Sequence, residues 1–223
     1  MIYIFDDNAS QEILKIKGET FKYLFKVRRH NINDTILFRN EDAIEIAHYY
    51  EVVELDGRSA TLALRKSIKE ASQAKKELHL AWCVIDSKSI EKSLAMLNEI
   101  GVSQITFINC ERSQKNFKLD FKRYERILHA SMQQCGRTHK MAFDEVKSLK
   151  SFIEKNPQTV VFDFSDKVLD SSIEIDTILI GCEGGFSKSE KEMLSTQQQV
   201  RLDTPMILRS ETAVVAVCSR VLF

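Results

Sequence analysis

Gly181, Gly184 and Gly185 are the residues of this chain with the clearest capacity to hold a ligand. The sequence contains 7 glycines among 223 residues, and these three share one short stretch. Glycine occurs where φ must be positive or where another group approaches the backbone closely. The stretch has neither the Gly-Lys-Ser/Thr of a P-loop nor the Gly-x-Gly-x-x-Gly of a dinucleotide site. It therefore indicates either a ligand-binding loop of another kind or a tight turn without a ligand.

The residues around the glycines predict a strand before them and a helix after them. Residues 177–180 form a β-branched and apolar run, typical of a strand that is buried on both faces. Ser187 and Glu190 have the spacing of a capping box, which satisfies the free amides at the start of a helix. Because open α/β sheets bind ligands at the carboxyl ends of their strands, the glycine turn is predicted to lie at such an end.

A second loop with unusual residues follows the glycine turn. Residues 200–202 predict another short strand, and Asp203, Thr204 and Pro205 turn the chain. Residues 207–212 then lead into a terminal helix, for which Ser210 is the predicted N-cap. If the two strands are close in the sheet, the two loops form two walls of one pocket.

The overall charge gives no support to a nucleic-acid partner. The 32 basic residues balance the 32 acidic ones, whereas nucleic-acid-binding proteins usually carry a basic excess. Only a local cluster of basic residues could provide a nucleic-acid-binding surface. The hydrophobic fraction of 43% and the charged fraction of 29% are ordinary for a soluble globular protein.

Cysteine and histidine usage predicts a reduced, metal-free cytoplasmic protein. The 5 cysteines are odd in number and never have Cys-x-x-Cys spacing, so we expect free thiols, most of them in the core. The 5 histidines lack the spacing of zinc ligands. No apolar run is long enough to span a bilayer, and the first residues lack the pattern of a signal peptide.

Residues 1–68 are predicted to form a small antiparallel β-barrel, and residues 69–77 a linker. Short alternating runs separated by turn signals are typical of such a barrel. The predicted strands cover residues 2–5, 12–16, 35–38, 43–47, 52–55 and 60–64. A helical segment at residues 19–27 interrupts them and begins a basic cluster, in which Tyr23 and Phe25 stand among the cations. This cluster suits RNA contact, with cations for phosphates and rings for bases, but a solvated helix face has the same composition.

From residue 78 onward, strands and helices alternate, which predicts a mostly parallel sheet covered on both faces. The predicted strands are 78–85, 105–108, 160–164, 177–180 and 200–202, and the predicted helices 89–100, 120–135, 146–154 and 213–223. The last helix is apolar nearly all round. It must therefore be buried in the core or in a partner.

Both loops resemble the RsmE family of SPOUT-superfamily methyltransferases, which act on N3 of a uridine in small-subunit ribosomal RNA. The segments that carry the resemblance are 180–187 (IGCEGGFS), 202–203 (LD) and 207–213 (ILRSETA). Further agreement lies in 89–102 (SIEKSLAMLNEIGV), 111–113 (ERS) and 134–137 (QCGR). The resemblance covers the whole chain and is closest after residue 78.

This resemblance implies a two-domain α/β enzyme that uses S-adenosylmethionine. Residues 1–68 would form a PUA-like RNA-binding barrel, and residues 78–223 a SPOUT domain with a deep trefoil knot. The implied partners are 16S ribosomal RNA, within the small ribosomal subunit, and a second copy of the chain in a homodimer. The residues implied to contact RNA are Lys22, Lys26, Arg28, Arg29 and Arg137.

The resemblance also implies which residues form the site. Main-chain groups of three loops would hold the cofactor, through Phe162, Asp163, Phe164, Ile180, Gly181, Glu183, Gly184, Gly185, Leu202, Ile207, Leu208 and Thr212. Our hypothesis is that Arg209 stabilises negative charge on the uracil carbonyl oxygens. Glu183 or Glu211 would orient Arg209 or accept the proton of N3. Glu211 is equally well explained as an acidic residue in the first turn of a helix.

Two positions differ from the family pattern. Cys182 stands where the family has proline, and it is small and apolar enough to fit. Asp203 stands where the family usually has glycine, and a positive φ, which Asp tolerates, would accommodate it. Two rival hypotheses are a catalytically silent RNA-binding protein and an α/β enzyme that binds another nucleotide in the glycine turn.

Overall fold

The structure is a computed structural model that describes residues 2–114 and 118–223. It divides into two compact units, Met1–Gln73 with Met132–His139, and Ala74–Ser131 with Lys140–Phe223. The first division point therefore lies inside the predicted linker, 69–77. The grouping of residues 132–139 with the first unit has no counterpart in the sequence pattern. Within the described residues, every helix is too short or too polar to cross a membrane.

The chain alternates between strands and helices after an initial β-rich part. The strands are β1 (Ile4–Phe5), β2 (Ile13–Lys17), β3 (Thr35–Arg39), β4 (Ile46–Leu55), β5 (Ser59–Lys69), β6 (His79–Cys83), β7 (Gln104–Ile108), β8 (Ala142–Val146), β9 (Val160–Phe162), β10 (Thr177–Ile180) and β11 (Gln199–Val200). The helices are α1 (Gly18–Phe21), α2 (Ser87–Ile100), α3 (Phe121–Cys135), α4 (Leu149–Lys155), α5 (Lys188–Met193) and α6 (Ser210–Leu222). A π-helical segment, Lys22–Val27, continues α1.

The first unit contains a five-stranded sheet in the order β1-β3-β4-β5-β2. All its pairs are antiparallel except β1 with β3, which is parallel, so the purely antiparallel arrangement predicted for this part is wrong. The predicted strand 43–47 begins only at Ile46 and continues into the predicted strand 52–55 as one strand, β4, because register shifts at Tyr49/Tyr50 and Val52/Glu54 break its alternation without ending it. Alternate residues of this sheet, among them Phe38, Tyr50 and Leu62, form the core of the unit.

The second unit contains a six-stranded sheet in the order β11-β9-β10-β6-β7-β8. Every pair in it is parallel, which confirms the predicted α/β class with a parallel sheet. The central strands β6 and β10 are apolar along most of their length and buried, as parallel strands covered on both faces must be. The sequence analysis missed β8, because this edge strand is polar and largely exposed, and the predicted helix 146–154 begins only at Leu149.

Helices α2 and α6 lie together in the second unit. Helix α2 ends at Gly101, whose φ of 103° is a conformation that glycine adopts at little cost. One face of α6, formed by Ala213, Val214, Val217 and Cys218, is buried in the core. The prediction that this apolar helix needs a buried environment is confirmed for that face.

Two of the cysteines are joined, so the prediction of five free thiols is wrong. Cys83 and Cys110 form a disulfide with a Cα–Cα distance of 5.8 Å, whereas Cys135, Cys182 and Cys218 form none. The cause is tertiary, because β6 and β7 are parallel neighbours and Cys83 lies opposite Ile108. A sequence separation of 27 residues gives no sign of this proximity.

Candidate active site

A cavity of about 1010 Å³ lies in the second unit, beyond the carboxyl ends of β9, β10 and β11. Strand β9 pairs with β10 on one side and with β11 on the other, and this brings the glycine turn and the second loop around one space. The predicted site residues that line the cavity are Phe162, Asp163, Phe164, Ile180, Gly181, Glu183, Gly184, Gly185, Leu202, Ile207, Leu208 and Arg209. Glu211 and Thr212 lie in the first turn of α6 and are absent from this lining within the described part of the chain.

The glycine turn presents bare backbone to the cavity. The Gly185 amide donates to the Cys182 carbonyl at 2.9 Å, and Gly185 has a φ of 62°. A Cβ on Gly184 would lie 3.2 Å from the Cβ of Arg112, closer than side chains normally pack. The Arg112 guanidinium donates to the Gly184 carbonyl at 2.7 Å. Arg112, which itself lines the cavity, therefore holds the turn in place.

A buried carboxylate, Glu190, connects the glycine turn to the loop that follows β7. One of its oxygens accepts from the Ser187 amide at 2.8 Å, which completes the predicted capping box. The other accepts from the Glu111 amide at 2.9 Å. Ser189 donates in turn to the Glu111 carboxylate at 2.7 Å. Arg112 directly follows Glu111 in the chain. By holding the Glu111 amide, Glu190 therefore also helps to position the backbone of Arg112, whose guanidinium contacts Gly184.

The second loop is held by its own side chains. The Arg201 guanidinium donates to the Leu202 carbonyl at 3.0 Å and lies 3.4 Å from the Asp203 carboxylate. Asp203 is not among the described non-glycine residues with positive φ, so that predicted conformation is wrong. The Asp203 side chain is 83% exposed and lies beside Arg201. Asp203 is not among the residues that line the cavity.

Apolar side chains surround the mouth of the cavity. Phe164, Met206 and Ile207 line it and are 74%, 69% and 82% exposed. Beneath them, Lys191 and Asp163 form an ion pair at 3.1 Å that connects α5 to the end of β9. The site therefore combines bare backbone with apolar surfaces, a combination that suits a flat apolar ring.

Two of the three charged candidates for chemistry face this space without a fixed partner among the described residues. Arg209 and Glu183 are exposed and line the cavity, and neither makes a side-chain hydrogen bond or ion pair with the described residues. Arg209, not Ser210, is the N-cap residue of α6. The predicted cap is wrong because the Ser210 hydroxyl donates to the Gly181 carbonyl, at 2.6 Å.

Comparison with known proteins decides the family. Residues 72–222 match a family model described as an RNA methyltransferase domain. A Helicobacter pylori protein named ribosomal RNA small subunit methyltransferase E is 33% identical over 224 residues, covering 98% of both chains. The chain belongs to the ribosomal RNA small subunit methyltransferase E (RsmE) family. It is therefore an RNA methyltransferase by family.

Solved structures agree with the RsmE assignment at the level of the fold. A ribosomal RNA small subunit methyltransferase E from Neisseria gonorrhoeae, bound to S-adenosylmethionine, superposes with a TM-score of 0.72 at 18% identity. The likeness covers 98% of this chain and 96% of that one. A Legionella pneumophila protein with bound S-adenosylmethionine gives a TM-score of 0.75 at 20% identity, over 98% and 95% of the two chains.

Several lining residues of this RsmE protein were not predicted as site residues. They are Arg112, Cys182, Phe186, Lys188, Lys191, Glu192, Ser195, Arg201, Thr204, Met206, Ser210 and Ala213. The family segment 111–113 offered a signal for Arg112. The position of Lys191 had none, because its approach to Asp163 depends on how α5 packs beside β9.

The thiol of Cys182, where the RsmE family has proline, is expected to be protonated at neutral pH. Burial raises the pKa of Cys182, because removal of water penalises the thiolate. Since only the thiolate reacts, we expect slow alkylation at pH 7 and a rate that keeps rising above pH 9, the ordinary thiol value. Mass-spectrometric labelling across pH measures this, with half-buried Cys135 as the internal control. A rate for Cys182 that levels off below pH 8 would contradict the assignment.

The predicted RNA-contacting residues all belong to the first unit, but they are not equivalent. Lys22, Lys26, Arg28 and Arg29 are exposed, and Arg28 donates to the Tyr23 hydroxyl at 2.7 Å. Two other residues are buried, and burial leaves little surface for RNA. Arg137 is 6% exposed. Phe25, one of the two rings expected among the cations, is 7% exposed and packs in the core of the unit, so it offers no ring face to an RNA base.

Proposed function

We propose that the protein transfers a methyl group from S-adenosylmethionine to N3 of a uridine in 16S ribosomal RNA, in the cytoplasm. The main support for this proposal is the cavity that the glycine turn and the second loop, which contains Arg209, enclose together in a chain of the RsmE family. The Helicobacter pylori relative is named for small-subunit ribosomal RNA, and two structural neighbours contain S-adenosylmethionine. N3 as the target atom comes from the family resemblance.

The residues of the cavity fit S-adenosylmethionine. When bound, this cofactor supplies a methyl group on a positively charged sulfur. Gly184 and Gly185 offer bare backbone. A Cβ at position 184 would meet Arg112, and a side chain at position 185 would have to adopt a strained positive φ. Leu202, Ile207 and Leu208 supply apolar surface for the adenine ring. The protonated Cys182 thiol contributes volume without charge.

The chemistry of the target atom determines what the charged residues of the cavity have to do. N3 of uridine carries a proton and lies on the pairing edge, so the base must be unpaired and N3 must lose that proton. Arg209, which has no partner among the described residues, is free to stabilise negative charge on the uracil carbonyl oxygens. Glu183 shares the cavity and is our candidate for orienting Arg209 or accepting the proton. The position of Glu211 favours its role as a first-turn acid of α6.

The finer architecture is also part of the proposal. We assign a PUA-like barrel to residues 1–68, a linker to 69–77, and a SPOUT domain with a trefoil knot to 78–223. The full-length likeness to RsmE structures supports these assignments. We further propose a homodimer, which the exposed apolar residues Phe164, Met206, Ile207 and Phe223 support, since such surface favours burial.

The exposed basic cluster should contribute to RNA affinity through phosphates. Replacing Lys26, Arg28 and Arg29 together by alanine removes three cations, and we expect the salt dependence of RNA binding to weaken by about 2 units in log–log slope. Binding measured between 50 and 300 mM salt gives the slope. Lys92, Lys150 and Lys155 are exposed in the second unit and provide a matched triple control. An unchanged slope would place the RNA contact elsewhere.

Methyl incorporation tests the function directly. Wild-type protein with methyl-labelled S-adenosylmethionine should modify unmethylated small ribosomal subunits, and nucleoside analysis should find 3-methyluridine. Binding of S-adenosylmethionine without transfer to subunits or free RNA would contradict the proposal. Failure to bind it would favour a silent RNA-binding protein, and a preference for a nucleoside triphosphate would favour another α/β enzyme.

A further inference from the structure

The hydroxyl of Ser210 connects three elements at the floor of the cavity. It donates to the Gly181 carbonyl at 2.6 Å and accepts from the indole nitrogen of Trp82 at 2.9 Å. Trp82 is fully buried on β6, opposite Ile180 in the neighbouring strand, and Ser210 is 5% exposed. One hydroxyl thus joins the end of β10, the strand β6 and the start of α6.

Both hydrogen-bonding roles of this hydroxyl are used, which fixes its orientation. A serine hydroxyl has one proton to donate and lone pairs to accept, and here the proton goes to Gly181 and a lone pair to Trp82. Alanine would leave the fully buried indole N–H of Trp82 without its acceptor and would remove the donor to the Gly181 carbonyl. The connection therefore depends on the hydroxyl and not on the volume of the side chain.

The connected atoms belong to both walls of the proposed site. Gly181 begins the glycine turn, and Arg209 directly precedes Ser210 at the start of α6. Both residues line the cavity, as does Ser210 itself. A shift of the helix start against Gly181 would move Arg209 relative to whatever the glycine turn holds.

We propose that Ser210 is a positioning residue for methyl transfer, held in orientation by Trp82, which sets Arg209 relative to the glycine turn. The inference rests on the proposed function, because it concerns the alignment of two groups in that reaction. Reaction rates are sensitive to such alignment.

The test compares Ser210→Ala and Ser210→Thr with a matched control, Ser219→Ala, at the other end of α6. With small ribosomal subunits and S-adenosylmethionine, we expect Ser210→Ala to lower kcat per folded molecule about 10-fold or more, because small misplacements cost rate steeply. We expect the KM for S-adenosylmethionine to change less than about 3-fold, and threonine, which keeps the hydroxyl, to restore most of kcat.

Fluorescence supplies a second measurement that does not depend on activity. Trp82 is the only tryptophan in the sequence, so the emission spectrum reports on this residue alone. Loss of its hydrogen-bond acceptor in Ser210→Ala should shift the emission to shorter wavelength, and Ser210→Thr and Ser219→Ala should match wild type. An unshifted Ser210→Ala spectrum would overturn the connection itself.

The outcomes separate this inference from the proposed function. If wild-type protein transfers methyl groups and folded Ser210→Ala has the kcat of Ser219→Ala, the positioning role is wrong while the function stands. If wild-type protein transfers none, the proposed function fails, and the fluorescence still tests the connection. If Ser210→Ala does not fold, Trp82→Phe decides, because it removes the indole donor and leaves the Ser210 hydroxyl in place. We then expect a reduced kcat per folded molecule, and a wild-type value overturns the proposal.

Discussion

Replacement of Arg209 by alanine should nearly abolish methyl transfer, lowering kcat by about 10²–10³-fold, and leave the binding of S-adenosylmethionine nearly intact. Arg209 lines the cavity, is exposed, and has no side-chain partner among the described residues, so its charge is available to the substrate. Loss of one group that stabilises developing negative charge costs about 10²–10³-fold in kcat. Calorimetric titration of the cofactor and methyl incorporation into small subunits measure the two effects separately.

A matched control lies on the same helix. Arg220 is an exposed arginine in the last turn of α6 and is absent from the lining of this cavity, so Arg220→Ala should retain wild-type turnover. Arg209→Lys keeps the charge but not the planar guanidinium and should recover only part of the rate. Normal turnover by Arg209→Ala would remove this residue from the mechanism. A matching loss of cofactor affinity would assign it to binding instead.

The second large effect is expected at Glu190, although this residue does not line the cavity. Its two oxygens accept from two different amides, those of Ser187 and Glu111. Glutamine offers one acceptor oxygen, so Glu190→Gln must place the NH₂ group of a buried side chain against one of these two N–H groups. We expect a loss of about 2 kcal/mol in unfolding free energy, the usual cost of leaving a buried polar group unpaired.

The loss should also reach the cofactor site. Glu190 holds the loop whose next residue, Arg112, donates to the Gly184 carbonyl. We therefore expect S-adenosylmethionine to bind about 10-fold more weakly, a difference of roughly 1.4 kcal/mol. Glu99→Gln is a suitable control, because Glu99 is exposed on α2. Unchanged thermal stability and affinity in Glu190→Gln would show that the Glu111 contact contributes nothing.

Local rules explain why much of this fold was predictable. The apolar runs of β6, β9 and β10, the stripe of α2 and its terminal Gly101 depend on neighbours in sequence alone. The same holds for the capping box of Ser187 and Glu190, which the structure contains as predicted. The polar edge strand β8 and the bulged β4 escaped prediction because their pairing depends on distant partners.

The composition of the site was readable from the sequence, but its connections were not. Glycines without side chains, an arginine before a helix and apolar residues after a turn are properties of residue types. The Cys83–Cys110 disulfide and the burial of Arg137 depend on the tertiary structure. They result from distances between residues that only folding makes short.

By itself, the sequence determined that this chain has a parallel α/β unit with a glycine turn and an arginine loop of the RsmE type. Hydrophobic periodicity and turn chemistry suffice for the α/β unit and its two loops, because they act over a few neighbouring residues, whereas the RsmE type rests on the resemblance of the loop segments to that family. Only the tertiary structure decided that the two loops share one cavity and that Ser210 connects to Gly181 and not to its own helix. The reason is physical: β9 lies between β10 and β11, and this strand order depends on long-range packing that no short segment encodes.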